Sequence, residues 1–442
     1  MIRRIQAAAA VAALFALAVP AAAQVDIEEV TTDAGFEAWL VEDDSVPFVS
    51  LEIRFVGGAV LDPEGQAGVT NLMMGLLEEG AGERDARAFA AAEEELAASF
   101  GYDANHDSVS VSARFLTENR DEAVALLRDS LVAPRFDADA IERVRGQVIS
   151  GLRSAQTDPD EIAERRAADY AFGDHPYARP VSGTLETVPH LSRESIVAAH
   201  AAALVQDRAV IAAAGDISAD ELSALVDSLL ADLPESGPGL PTEVEIPDSG
   251  GVTVVPFDTP QSVAIFGHSG IDRHDPDFFP AYVLNHILGG GGFESRLMEE
   301  VREKRGLTYG VYSYLATRDY ADLMMGRVAS ANERMAETVQ VIRDTWARTA
   351  EDGVSDTELE DAKTYLTGAY PLRFDGNGAI ADILVGMQLQ DLSPDYVNTR
   401  NDMIEAVTAE DIQRVAGELM KPDALHFTIV GQPEGLDGEA TQ

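Results

Sequence analysis

The sequence predicts an α+β protein made of two similar halves, each a mostly antiparallel sheet with helices packed on it. Three observations carry the prediction. Short segments that alternate apolar and polar residues, the period of a half-buried strand, are interspersed with longer segments of helical period. A stretch rich in proline, glycine and acid divides the chain near its middle. What precedes that stretch then recurs after it in the same order.

In chain order, residues 36–41 and 47–57 read as strands. In the second, Val49, Leu51, Ile53 and Phe55 share one side, and Ser50, Glu52 and Arg54 the other. A loop with Asp62-Pro63 leads to an apolar helix over residues 67–77, and a second helix is expected over residues 85–99. Val109, Val111, Ala113 and Phe115 alternate with Ser110, Ser112 and Arg114 in another strand. Helices follow at residues 119–132, 138–155, 160–172 and 192–203, with a Gly-Asp-His-Pro-Tyr turn at residues 173–177. Residues 208–214 read as a strand, and Ser218-Ala-Asp-Glu221 is a capping box for a helix ending near Leu230.

Residues 234–251 form the Pro, Gly and acid-rich linker. Beyond it, Gln261-Ser-Val-Ala-Ile265 answers Val49-Ser-Leu-Glu-Ile53, and Asp275-Pro276 answers Asp62-Pro63. Thr367-Gly368 answers Ser150-Gly151, and Ile429-Val-Gly-Gln432 answers Ala213-Ala-Gly-Asp216. The offsets are 212, 213, 217 and 216, so four features in order keep nearly one register. An internal duplication accounts for this. The expected organisation is a signal peptide at 1–23, an N-terminal domain at 24–233, the linker, and a C-terminal domain at 252–442.

The signal peptide rests on Arg3 and Arg4, an apolar run over residues 7–19, and Ala21-Ala22-Ala23 before Gln24. That run is short for a membrane span, and no later stretch is long and apolar enough, so export to the periplasm without membrane insertion is expected. The chain has no cysteine, which excludes disulfides and lipidation at Cys. Its formal charge is −45, from 77 acidic against 32 basic residues, and such a surface repels phosphate backbones. Nucleic acid is therefore not an expected partner. The 46% of hydrophobic residues provide for a sizeable core.

The most specific stretch runs from Asn285 to Tyr314. Four consecutive glycines, Gly289, Gly290, Gly291 and Gly292, follow a helix, and a second helix passes Leu297 and Val301 to stop at Gly306. An aromatic strand is expected over residues 309–314. The run is a poor phosphate cradle, because it follows a helix and lacks Gly-Lys-Ser/Thr. Leu-Gly-Gly-Gly-Gly-Phe-Glu-Ser-Arg-Leu followed by Val-Arg-Glu-Lys-Arg-Gly-Leu-Thr-Tyr-Gly-Val-Tyr-Ser resembles the C-terminal-half signature of the insulinase/pitrilysin zinc peptidases, which include the mitochondrial processing peptidases. The resemblance extends over nearly all of the mature chain. It implies two α+β halves facing each other across a chamber.

In that family an Arg and a Tyr seven residues apart hold the substrate beside zinc, and here they map onto Arg302 and Tyr309. Read alone, Arg302 could form helix-face pairs with Glu299, Glu300 or Glu303, and Tyr309 could be core. The full signature favours substrate support, with both side chains facing the chamber and Gly289 to Gly292 forming a mobile rim.

Active members also carry H-x-x-E-H on the first helix of the N-terminal half, two imidazoles binding zinc and a Glu serving as general base. The matching positions are Asn71, Met74 and Gly75, and the later helix reads Gln147-Val-Ile-Ser-Gly-Leu-Arg153, with no carboxylate to complete the site. No H-x-x-E-H or H-E-x-x-H occurs anywhere in the chain. No catalytic residue and no metal is therefore expected on this chain. The resemblance implies a non-catalytic subunit of a heteromeric periplasmic zinc peptidase, with zinc on a homologous partner and a peptide as substrate. The alternative is a free-standing peptide-binding or scaffold protein of the same fold.

Overall fold

The computed structural model describes residues 26–436 and 439–440; the expected export signal lies outside them. The first half holds β1 (Glu28–Thr31), β2 (Glu37–Glu42) and β3 (Phe48–Val56), then helix α1 (Val69–Met74). A small hairpin of β4 (Gly80–Ala81) and β5 (Arg84–Asp85) precedes α2 (Ala86–Glu95), and β6 (Ser99–Ala104) and β7 (Ser108–Leu116) follow. Helices α3 (Arg120–Val132), α4 (Ala138–Ala155), α5 (Pro159–Phe172) and α6 (Arg193–Ala203) lead to β8 (Ala209–Gly215) and α7 (Ala219–Leu230).

The second half holds β9 (Gly251–Pro256), β10 (Gln261–Ser269) and α8 (Phe278–Asn285), then β11 (Val311–Arg318) and β12 (Ala321–Ala331). Helices α9 (Met335–Asp352), α10 (Asp356–Ala369), α11 (Asn377–Leu389), α12 (Tyr396–Glu405) and α13 (Ala409–Leu419) precede β13 (His426–Gly431) and β14 (Glu439–Ala440).

The duplication expected from the sequence is explicit in the strand order. The first sheet runs β1-β2-β8-β3-β7-β6 and the second β14-β9-β13-β10-β12-β11, so each strand has a counterpart in the same place. Within each, the β2–β8 or β9–β13 pair is parallel, and the other inner pairs are antiparallel. Gly215 and Gly431 end the corresponding strands at φ of +135° and +150°, where a Cβ would stand 3.0 Å from Val49 Cα and 2.8 Å from Ser262 Cα. Each half has its own core. Val49, Leu51, Ile53 and Phe55 lie in the first, as their alternation predicts, and Phe266, Trp346 and Phe427 in the second.

Two helices of the first half depart from expectation. The helix expected over residues 67–77 is only α1, begun at Gly68 in a left-handed conformation (φ +92°) and ended at Gly75. The helix expected to reach residue 99 stops at Glu95, because Ala97 takes φ +49° and reverses the chain into β6. Gly101 and Asp103 had blurred that strand's alternation.

The halves do not merely face each other. Helix α5 of the first leaves its own sheet and packs on β10 and β13 of the second, where Ala163 joins Val263, Ile265 and Val430. Helix α11 of the second packs on β3 and β8 of the first, where Leu384, Val385 and Met387 cover Trp39 and Ala212. Ion pairs accompany both crossings: Arg54 Nη2 lies 2.8 Å from Asp382 Oδ1, and Arg327 pairs with Asp160. The linker is tied down as well. Val244 N donates to Tyr320 O at 2.9 Å, Arg208 donates to Pro238 O, and Lys421 Nζ meets Asp248 Oδ2 at 2.7 Å. Among the described residues no helix is long and apolar enough to cross a membrane.

Candidate functional site

Between the halves lies a chamber of about 810 Å³. Asn71 and the α5 face wall it from the first half, and Tyr312, Tyr314, Arg318 and Arg327 from the second. The last four share one face of the β11–β12 pair, because alternate residues of a strand point the same way.

Helix α1, which carries the positions of the zinc motif, is held from below by Asp62. Its carboxylate accepts from Gly68 N at 2.7 Å, Thr70 N at 3.1 Å and Thr70 Oγ1 at 2.6 Å. Burial pushes the Asp62 carboxyl upward, and these bonds act against that shift. Sequence reading found Asp62 only as a mark of the repeat, because a side-chain brace on a helix start leaves no periodic signature. Above this brace Asn71 reaches the chamber, Met74 is buried, and a Cβ on Gly75 would stand 3.3 Å from Val144 Cγ1. These residues do not fit a zinc ion. Asn71 offers a neutral amide, Met74 a buried thioether, Gly75 nothing, and among the described residues no three His, Cys, Asp or Glu are grouped to hold a metal.

The Arg and Tyr of the C-terminal signature lie elsewhere. Helix α8 continues into a wider π-helical turn, His286–Gly290, and a second such stretch, Met298–Glu303, carries Arg302. Arg302 donates to Glu303 Oε1 at 3.2 Å, and its guanidinium sits 4.6 Å from the Phe293 ring centre. Of the three acids considered from sequence, only Glu303 pairs with it. Gly306 N bonds Arg302 O at 2.7 Å, and Thr308 Oγ1 donates to Ala329 O at 2.6 Å. The loop between is thereby fixed, and Tyr309 projects from it 85% exposed, before β11 rather than within it. Neither Arg302 nor Tyr309 lines the chamber within this chain, contrary to expectation. Arg302 is half-buried beside Phe293.

The glycine run divides in two. Gly289 is buried because a Cβ there would stand 2.6 Å from Ser313 N, on the strand that Asn285 already grips through Ser313 Oγ at 2.8 Å. This position answers close packing rather than a rim. Gly290 and Gly291 pass close to Asn285 and His286, and only Gly292, at φ +62°, has open space around it.

Comparison with known proteins agrees with this geometry. Residues 38–185 match the family described as insulinase (peptidase family M16), and residues 190–366 match the peptidase M16 inactive domain. The Helicobacter pylori non-peptidase homolog YmxG is 28% identical over 333 residues, covering 75% of this chain and 77% of that one. An uncharacterized zinc protease of Mycobacterium bovis is 30% identical over 307 residues, covering 67% and 69%. The solved peptidase M16 inactive domain of Pseudomonas fluorescens superposes with a TM-score of 0.87 at 28% identity, over 94% of this chain and all of that one. The sheet order, the glycine-rich turn and the emptied zinc motif thus have one explanation: the chain belongs to the insulinase family of M16 peptidases, as a member without the residues of catalysis.

Proposed function

We propose that this chain is the substrate-binding, non-catalytic subunit of a heteromeric periplasmic zinc peptidase that acts on peptides or unfolded proteins. The observation that carries the reading is the separation of Arg302 and Tyr309 from their own chain's chamber. A pair that held substrate for this chain's own site would point at α1. Tyr309 is exposed and neither residue lines the chamber, which leaves room for a second chain to bring its zinc. Arg302 then offers charged donors to a peptide carbonyl as negative charge develops on its oxygen, and the Tyr309 hydroxyl bonds the same backbone. Zinc belongs to the partner chain and supplies the Lewis acid there. Export follows from the arginine, apolar and small-residue pattern of residues 1–23.

The test is reconstitution with a homologous zinc-bearing chain and an unfolded peptide. Arg302→Ala and Tyr309→Phe leave pairing intact and lower kcat/KM, by about two to three orders of magnitude if either acts as an oxyanion donor. Arg305 is a poor control, because it is anchored to the Glu300 carbonyl and carboxylate at 2.7 Å each rather than solvated. Arg87, exposed on α2, serves instead. Full activity in both variants would reduce the chain to a scaffold.

A further inference from the structure

A second cavity, of about 310 Å³, opens in the C-terminal half among α8, α11, α12 and the turn Tyr370–Arg373. Three arginines line it: Arg273, Arg373 and Arg400. Among the described residues none has a carboxylate within ion-pair distance, although the chain carries more than two acids for every base. The single acid on the wall, Asp382, is engaged by Arg54 of the other half. This leaves the pocket cationic in a strongly acidic protein.

Arg400 makes the case sharper, because it is only 5% exposed. Its Nη1 donates to Leu366 O at 3.2 Å and Asn401 Oδ1 at 3.1 Å, and its Nη2 to the Tyr282 hydroxyl at 3.4 Å. All are neutral. A buried cation without a counter-charge is costly, and hydrogen bonds to neutral groups offset only part of that. The Tyr370 ring, 4.3 Å away, adds a cation–π contact worth about 1–2 kcal/mol. Arg273 is stacked in the same manner, 4.2 Å over Phe278 and 5.2 Å over Tyr396, with a weak bond to Gln390. The rings hold the guanidinium planes in place and leave their donor edges without an acidic partner.

We propose that this pocket is a binding site for a small organic oxyanion, a carboxylate or phosphate group borne on a flat or aromatic body. The guanidinium edges take the oxyanion bidentately, and the aromatic walls take the body. The site lies apart from Arg302 and Tyr309 and does not depend on the subunit role proposed for them. Because its floor is α11, the helix that crosses to the first sheet, an occupant also braces the contact between the halves.

Calorimetric titration of the full chain, in buffer free of sulfate and phosphate at low ionic strength, tests this with two probes: inorganic phosphate and N-acetylphenylalanine. One-to-one saturable binding of either supports the site, and the stronger probe tells whether phosphate or carboxylate is the preferred head. Arg373→Gln is the primary variant, since Arg373 is exposed and its loss leaves packing alone; binding should weaken at least about fivefold, in line with loss of one charge-assisted contact. Arg273→Gln should do the same, and Arg87→Gln should change nothing. Saturable binding with neither probe, or binding insensitive to both pocket variants, would overturn the assignment.

Discussion

The hydroxyl of Tyr177 accepts a hydrogen bond from the backbone amide of Tyr320 at 3.2 Å and donates one to the carboxylate of Asp107. A residue of the first half thus joins its own β6–β7 turn to the equivalent β11–β12 turn of the second. Tyr177 is almost fully buried, packed edge-on to Phe172 and under the Arg318 guanidinium. Tyr177→Phe keeps the ring but leaves the amide and the carboxylate without this partner. The expected cost is about 1–3 kcal/mol, read as a lower urea midpoint. An unchanged midpoint would mean that the two turns hold together without it.

The glycine run separates by position. Gly289→Ala forces a methyl against Ser313 and Leu297 and should cost about 1–3 kcal/mol. Gly292→Asn places a residue tolerant of the left-handed region into open space and should change the melting temperature little. Equal effects at both positions would contradict the packing described.

Asp322 gives a pH signature. Burial first, then the neighbouring Asp272 and Glu243 charges, push its carboxyl up to about 6. The unfolded value is about 3.9. The folded protein therefore retains this proton between about pH 4 and 6, and ionising the group opposes folding above that window. Asp322→Asn should raise stability at pH 7.5 relative to wild type, and the gain should vanish near pH 4. A gain that is the same at both values would show that charge is not its origin.

Elemental analysis of the purified chain should find no stoichiometric zinc, and the chain alone should cleave no peptide. Restoring the motif by Asn71→His, Met74→Glu and Gly75→His together should still give a weak site, because residues 147–153 of α4 hold no carboxylate and Gly75 is crowded by Val144. Tight zinc with chelator-sensitive activity in the unaltered chain would refute this.

Much of the fold was legible because alternation reports directly on which side of a strand is buried. Val49 to Phe55 point to their core, and Ser50, Glu52 and Arg54 to the other half, as their pattern implies. The capping box at Ser218 and Glu221 forms with both of its bonds. The crossing of α5 and α11 was not legible, since an apolar helix face shows that something covers it but not which sheet. The site was legible by residue type and hidden in direction. Spacing joined Arg302 to Tyr309, yet the turn at Gly306 and the bonds of Thr308, which leave Tyr309 exposed ahead of β11, have no sequence period. Residues 234–251 read as a linker by composition, but Val244 and Ile246 pack against the apolar cluster that holds Tyr177 and Tyr320.

The exchange of α5 and α11 means that neither half is whole by itself. A fragment ending before the linker would leave Trp39 and Ala212 bare, and its own α5 would have no sheet to rest on. The natural mate for such a fragment is another copy of itself, since each half carries both the arm and the seat. Read this way, the present chain is a tethered dimer. Its linker fixes which two halves meet, so the two copies need not carry the same residues: the first helix of one lacks zinc ligands, and the other holds Arg302 and Tyr309.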